Sequence, residues 1–187
     1  MAHRCPYWVG FFLITPLRRM IQDPEKILRP FVAEGMRVLD VGPAMGYFTL
    51  PMARLVGPKG KVLAVDIHEK LLQKLHKRAC RAGLDDRIVT RVCEPTSLDL
   101  AEYEKAVDFA LAFAVVHEVP DEEKLYADLF RLLKPGGECL LAEPRGHVSV
   151  ATFTQTLDLA EKVGFKVSDS PPIGWSRVAL LIKEKGE

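Results

Sequence analysis

Three acidic side chains in the first half of the chain each close a short apolar run. Asp40 follows Val38-Leu39, Asp66 follows Val62-Leu63-Ala64-Val65, and Glu94 follows the run from Ile88 to Cys93. Behind Asp40 stands Val41-Gly42-Pro43-Ala44-Met45-Gly46, where Gly42 and Gly46 let the backbone approach a ligand closely before a helix starts. A carboxylate at that place repels a pyrophosphate and attracts an ammonium or sulfonium group, so a cationic ligand is favoured over a dinucleotide. Asp66 lies 20 residues beyond Gly46. At the end of a second strand it is placed to accept hydrogen bonds from ribose hydroxyls; its alternative use is as the cap of the next helix.

A second group of polar residues falls in the other half. His117-Glu118-Val119-Pro120 stands between an apolar strand and a helix start, and Glu143, Arg145 and His147 follow another apolar run. His117 and Glu118 are candidates for a general base, with loop packing and helix capping as the alternative. Arg145 and His147 are candidates for holding an anionic substrate group. His3 and Cys5 are only two ligand types without a second pair nearby, so no metal site is expected.

These residues need a scaffold that brings strand ends to one edge. Short apolar runs alternate with amphipathic stretches, which is the pattern of a parallel sheet carrying helices. Strands are predicted over residues 37–41, 61–66, 88–93, 107–113 and 138–143. Helices are predicted from Pro24 (capped by Asp23, ended by Gly35), over 46–56, 69–82 and 122–133, and over 150–163, with a short one at 100–105. Lys134-Pro135-Gly136-Gly137 reads as a stop and turn. Residues 165–168 and 177–182 read as two strands joined by a loop with Pro171, Pro172 and Gly174, a connection short enough for an antiparallel pair. In such α/β sheets ligands bind at the carboxyl ends of strands, where the acids fall.

The sequence resembles class I S-adenosylmethionine-dependent methyltransferases, nearest the small-molecule type of ubiquinone and menaquinone biosynthesis. The resemblance runs over residues 24–183. Residues 40–46 are similar to the family's glycine-rich first motif, Asp66 falls where the ribose is held, Glu94 where an acid contacts adenine, and Leu132 to Gly137 at the turn before the fifth strand. It implies a doubly wound α/β fold: a seven-stranded, mostly parallel, Rossmann-like sheet with an antiparallel C-terminal strand. It also implies S-adenosylmethionine as cofactor, lined by Asp40, Gly42, Pro43, Ala44, Gly46, Asp66, Ile67, Cys93, Glu94 and Phe113. Two departures stand out: Ala44 replaces the motif's central glycine, and Pro95 has no N–H to offer adenine. Ala114-Val115-Val116-His117 follows the fourth strand where DNA-base amino methylases carry an Asn-Pro-Pro-Tyr-like motif. The rival functions are a nicotinamide-dependent oxidoreductase, which needs a third glycine and no acid at Asp40, and a non-catalytic protein that keeps the fold to bind a cofactor or partner.

The chain as a whole sets outer limits. Its 187 residues, 48% of them apolar, suit one domain over residues 23–187 preceded by an arm or lid over 1–22. Tyr7, Trp8, Phe11 and Phe12 in that arm are candidates for covering the substrate pocket, or for packing on the domain surface or a second copy in a homodimer. With 26 Lys plus Arg against 25 Asp plus Glu the net charge is +1, so no nucleic-acid partner is expected and a small-molecule acceptor is. The apolar stretch 7–14 is shorter than the roughly 20 residues a bilayer span needs, and no signal-peptide cleavage site follows it. Four cysteines without a close pair point to a reducing, cytoplasmic setting, with Cys93 and Cys139 read as core thiols.

Overall fold

The computed structural model describes residues 22–185. Its fold is a seven-stranded, mostly parallel sheet with antiparallel C-terminal strands, as the sequence predicts. The described residues divide into two compact units, one ending at Cys93 and the other beginning at Glu94.

In the first unit α1 (Pro24–Leu28) opens with Asp23 accepting a hydrogen bond from the Glu25 N–H at 3.1 Å, and Pro24 occupies the first turn. The helix stops well short of Gly35. Pro30 has no N–H to continue the ladder, and Phe31 and Val32 instead turn their amides onto the Leu28 carbonyl. Three parallel strands follow in the order β3-β2-β1: β1 (Arg37–Val41), β2 (Lys61–Asp66) and β3 (Ile88–Val92). β1 and β2 are apolar on both faces, as strands covered on both sides must be. Between them lies α2 (Thr49–Leu55), which starts three residues later than the sequence suggests because residues 43–48 form turns behind β1. After β2 comes α3 (Glu69–Ala82), which buries Leu71, Leu72, Leu75 and Ala79 and ends on Gly83 in the left-handed conformation.

The second unit orders its strands β4-β5-β7-β6: β4 (Val107–Phe113), β5 (Leu133–Pro144), β6 (Lys166–Asp169) and β7 (Ser176–Ile182). α4 (Glu122–Leu132) and α5 (Val150–Val163) pack on each other, and α5 closes on left-handed Gly164. The predicted helix at 100–105 is a single 3-10 turn, Ala101–Tyr103. β5 begins five residues before its predicted start. The pairing with β4 jumps from Val107↔Leu133 to Phe109↔Glu138, so Lys134-Pro135-Gly136-Gly137 bulges out of a strand instead of joining helix to strand. Lys183 secures this corner. It is 8% exposed, and its ammonium donates to the carbonyls of Phe130 at 2.6 Å and Leu133 at 2.9 Å, caps for the end of α4.

Cys139 is fully buried as expected, but Cys93 is only half-buried, because it lies past the end of β3 in the connection that follows. Among the described residues no helix is long and apolar enough to cross a membrane.

Candidate functional site

The first unit gathers Asp40, Gly42, Pro43, Ala44, Gly46, Asp66, Ile67 and Cys93 at the carboxyl ends of its strands. Asp40, 2% exposed, accepts a hydrogen bond from the Thr49 hydroxyl at 2.6 Å. Burial pushes its carboxyl up to about 7, against the Thr49 hydrogen bond, and the neighbouring Asp66 adds to the rise. Asp66, 7% exposed, is also raised by burial, while backbone N–H groups of His68, Ala44 and Ile67 pull the other way. The His68 bond is 2.8 Å. His68 is the N-cap residue of α3, so Asp66 steadies the helix entry and the glycine-rich loop together. Of its two expected uses, service to the next helix is met through the His68 amide, one residue before the helix proper.

That loop turns on three left-handed residues, Gly42 (φ 68°), Ala44 (φ 49°) and Gly46 (φ 85°). Alanine carries a steric cost there that glycine does not. Gly46 has a different reason to be glycine from the one its motif suggests: a Cβ would stand 2.3 Å from Leu75 Cδ1, inside the packing of α3. A larger residue at 46 therefore strikes the core as well as the loop. Arg78 on α3 donates to the Met45 carbonyl and holds the loop from that side.

These residues fit S-adenosylmethionine. Two buried acids whose carboxyls burial pushes towards the neutral form would be favoured as carboxylates beside a cation, and exposed Ile67 (42%) next to Asp66 offers an apolar surface for a flat base. Asp40 and Asp66 would face the ammonium and ribose groups, and the amides of residues 42–46 would approach the methionine portion.

The second unit gathers the other candidates. Ala114 ends β4 in the left-handed conformation (φ 56°). Its turn aims the next two amides at one atom: Glu143 Oε1 accepts from Val115 N–H at 3.2 Å and Val116 N–H at 2.9 Å. Glu143 is 1% exposed, and its Oε2 pairs with His117 Nδ1. Two amides and an imidazole thus satisfy both oxygens of a carboxyl group that would be costly to bury without partners. The hydrogen bond to Glu143, helped by charge attraction to the same carboxylate, raises the His117 pKa above its ordinary value, against the effect of burial. With Nδ1 turned inward, Nε2 faces outward from an imidazole 22% exposed. Glu118 Oε1 is 3.9 Å away, too far for a hydrogen bond. His147 packs edge-on to His117 with ring centroids 5.7 Å apart.

Glu118 is exposed and lies beside this pair without being its anchor; Glu143 is. Arg145 is exposed on the turn after β5 and Phe113 is buried at the end of β4. Glu94 is exposed and engaged through its backbone in a bridge to Ser97. Tyr7, Trp8 and Phe11 lie outside the described residues. The sequence reading missed Thr49 as partner of Asp40, for which the only signal was a hydroxyl in the first turn of the helix behind the motif. It also missed the left-handed turn at Ala114, which has no compositional signal.

A methyltransferase-domain family model matches residues 33–177. The chain belongs to the class I S-adenosylmethionine-dependent methyltransferases. This membership replaces the nicotinamide alternative. The methyltransferase is 30% identical over 112 residues, 60% of its length, to "Ubiquinone/menaquinone biosynthesis C-methyltransferase UbiE" of Pasteurella multocida (strain Pm70), of which the match covers 41%. It is 27% identical over 112 residues, again 60% of its length, to "Arsenite methyltransferase" of Halobacterium salinarum (strain ATCC 700922 / JCM 11081 / NRC-1), covering 28% of it. The chain thus spans less than half the length of these curated relatives. Its fold is that of a SAM dependent methyltransferase from Aquifex aeolicus, with a TM-score of 0.86 at 24% identity, covering 96% of this chain and 100% of the other.

Proposed function

We propose that this methyltransferase moves a methyl group from S-adenosylmethionine to a small-molecule acceptor whose proton His117 removes. The observation that carries this reading is the His117–Glu143 pair: a buried, amide-held carboxylate fixes the imidazole with Nε2 outward. When bound, S-adenosylmethionine supplies a sulfonium-activated methyl group that leaves by in-line displacement, its electron pair returning to sulfur. His117 Nε2 takes the proton of the acceptor atom as the new bond to carbon forms, and Glu143 stabilises the resulting imidazolium. Asp40 and Asp66 hold the cationic and ribose parts of the cofactor. Relatives named for ubiquinone/menaquinone biosynthesis and for arsenite methylation support a small acceptor, and a reducing, cytoplasmic setting accords with the cysteine spacing.

Residues 1–22 are proposed as the cover of the acceptor, by virtue of Tyr7, Trp8 and Phe11. A homodimer contact is the competing use of the same aromatics.

The test is twofold. Calorimetry with S-adenosylmethionine should show binding to the wild-type protein. A screen of candidate acceptors by release of S-adenosylhomocysteine should find a substrate on which His117→Ala is slowed at least about a hundredfold, the usual worth of a placed base. Binding without any loss in His117→Ala would leave a methyltransferase that needs no base; no binding would leave the fold as a scaffold.

A further inference from the structure

We infer that Trp175 and Arg145 form the acceptor platform of the second unit, and that the acceptor is a flat aromatic molecule bearing an anionic group. The inference rests on the reading of His117 as base and adds the substrate class to it.

Trp175 is 79% exposed, against 65% for Val150, 53% for Val92 and 42% for Ile67, the other exposed large apolar side chains among the described residues. It immediately precedes β7. The antiparallel register pairs Pro144 with Ser176, so the residue before Ser176 lies level with the residue after Pro144. The Arg145 N–H accordingly donates to the Trp175 carbonyl at 3.0 Å. Arg145 Nε donates to the Ser176 carbonyl at 3.2 Å. One of the five guanidinium N–H groups is thus tethered, and the two terminal NH2 groups make no hydrogen bond or ion pair among the described residues.

The turn that carries these side chains is built, not loose. His147 and Val148 both donate their amides to the Pro144 carbonyl at 3.0 Å, and Arg177 Nε donates to the Val148 carbonyl at 2.8 Å. The same turn carries His147 against the His117 ring, so the indole and the guanidinium stand at the sheet edge that holds the base. The exposed indole has a cost in water that only a covering group removes. An indole face takes a planar ring, and a tethered guanidinium takes a carboxylate or similar anion through two N–H groups. An aromatic anion satisfies both at once; an aliphatic anion or a neutral aromatic satisfies one.

The chain has two tryptophans, and the indole resonance that disappears in Trp175→Ala identifies Trp175 in the wild-type protein. The experiment titrates this protein, with S-adenosylhomocysteine present, with benzoate, benzyl alcohol and cyclohexanecarboxylate, and follows the Trp175 Nε1–H resonance. Benzoate should shift it and bind about fivefold or more tightly than either control. Arg145→Gln should abolish the advantage over benzyl alcohol, and Trp175→Ala, read by calorimetry, the advantage over cyclohexanecarboxylate. Equal binding of the three probes, or no shift at all, overturns the proposal. So does acrylamide quenching of ligand-free Trp175, taken as wild type less Trp175→Ala, as slow as that of a buried indole, which would mean that residues 1–21 or a second copy cover it. No turnover is needed for these readings, so they fail separately from the His117 assignment, which the rate of His117→Ala decides.

Discussion

His117 and Glu143 are 26 positions apart in sequence, yet the imidazole of one hydrogen-bonds the carboxylate of the other, which also accepts from the successive amides of Val115 and Val116. A base must be neutral to act, and the hydrogen bond to Glu143 holds the His117 pKa above its ordinary 6.5. Turnover on an acceptor that loses a proton should therefore rise with pH through an inflection above that value. Glu143→Gln should move the inflection down and lower the plateau, since the imidazolium loses its counter-charge. The stability linkage has the opposite sense. A histidine raised in the folded state contributes stability that is fully present below its unfolded value and is lost as pH rises through the folded one. Melting temperatures of wild type and His117→Asn should thus differ more at pH 5 than at pH 9. An inflection that Glu143→Gln leaves unmoved would remove His117 as the base.

Asp66 joins β2 to the glycine-rich loop through the Ala44 amide and to the start of α3 through the His68 amide. Asp66→Ala should weaken S-adenosylmethionine binding by about 1–3 kcal/mol, the loss expected when hydrogen bonds to a charged group disappear. Calorimetry on a variant with an unchanged circular dichroism spectrum measures this. Undiminished affinity would show that Asp66 serves only the loop and the helix entry.

Much of this arrangement was legible in the sequence because it is local. Strands 37–41, 61–66 and 107–113 and the helices 69–82 and 150–163 announce themselves by apolar period and by terminal glycines, and the observed bounds coincide. Asp40 and Asp66 were legible because an acid after an apolar run can be placed at a strand end without knowing the sheet. What a linear reading cannot see is which atom meets which across distance. Glu143 was one of several polar residues after strands until its two oxygens were found divided between two amides and an imidazole. Gly46 reads in the sequence as a point of ligand approach; the packing of Leu75, 29 residues on in α3, against it makes a folding defect the expected result of Gly46→Val. The apolar period that continues to Val32 points to a helix as far as Gly35, while Pro30, without an N–H, ends α1 earlier. The bulge of β5 at residues 134–137 uses the same residues that make a turn, and only the pairing register distinguishes the two.

Ala44 allows a test of backbone strain at the first motif. Its φ of 49° costs an L-residue about 1–2 kcal/mol, and glycine forfeits about 0.5–1 kcal/mol of unfolded-state entropy. Ala44→Gly should therefore raise the unfolding free energy by about 0.5 kcal/mol while leaving the amide that Asp66 accepts in place. Denaturant titration measures the change. A clear loss of stability would mean that the Ala44 methyl group makes packing contacts worth more than the strain it brings.

Asp40 sets stability against binding. Its carboxyl, at about 7 in the folded protein and 3.8 unfolded, keeps its proton in the fold over a range where the unfolded chain has lost it. Stability of the ligand-free protein should therefore fall as pH rises from about 4 to about 7 and level off above, because the folded state is the one that binds the extra proton. Asp40→Asn removes the ionisation and keeps an oxygen for the Thr49 hydroxyl, so it should melt higher than wild type at pH 8. The cationic cofactor reverses the balance by favouring the carboxylate. Binding at pH 6 should then release a proton, seen as a calorimetric enthalpy that varies with the ionisation heat of the buffer, and the release should vanish at pH 8.5 and in Asp40→Asn. The same variant should bind S-adenosylmethionine more weakly than wild type, by a margin that narrows at low pH where Asp40 itself is neutral. A buffer-independent enthalpy at pH 6 would mean that the ligand's cation is held elsewhere and that Asp40 serves β1 and α2 alone.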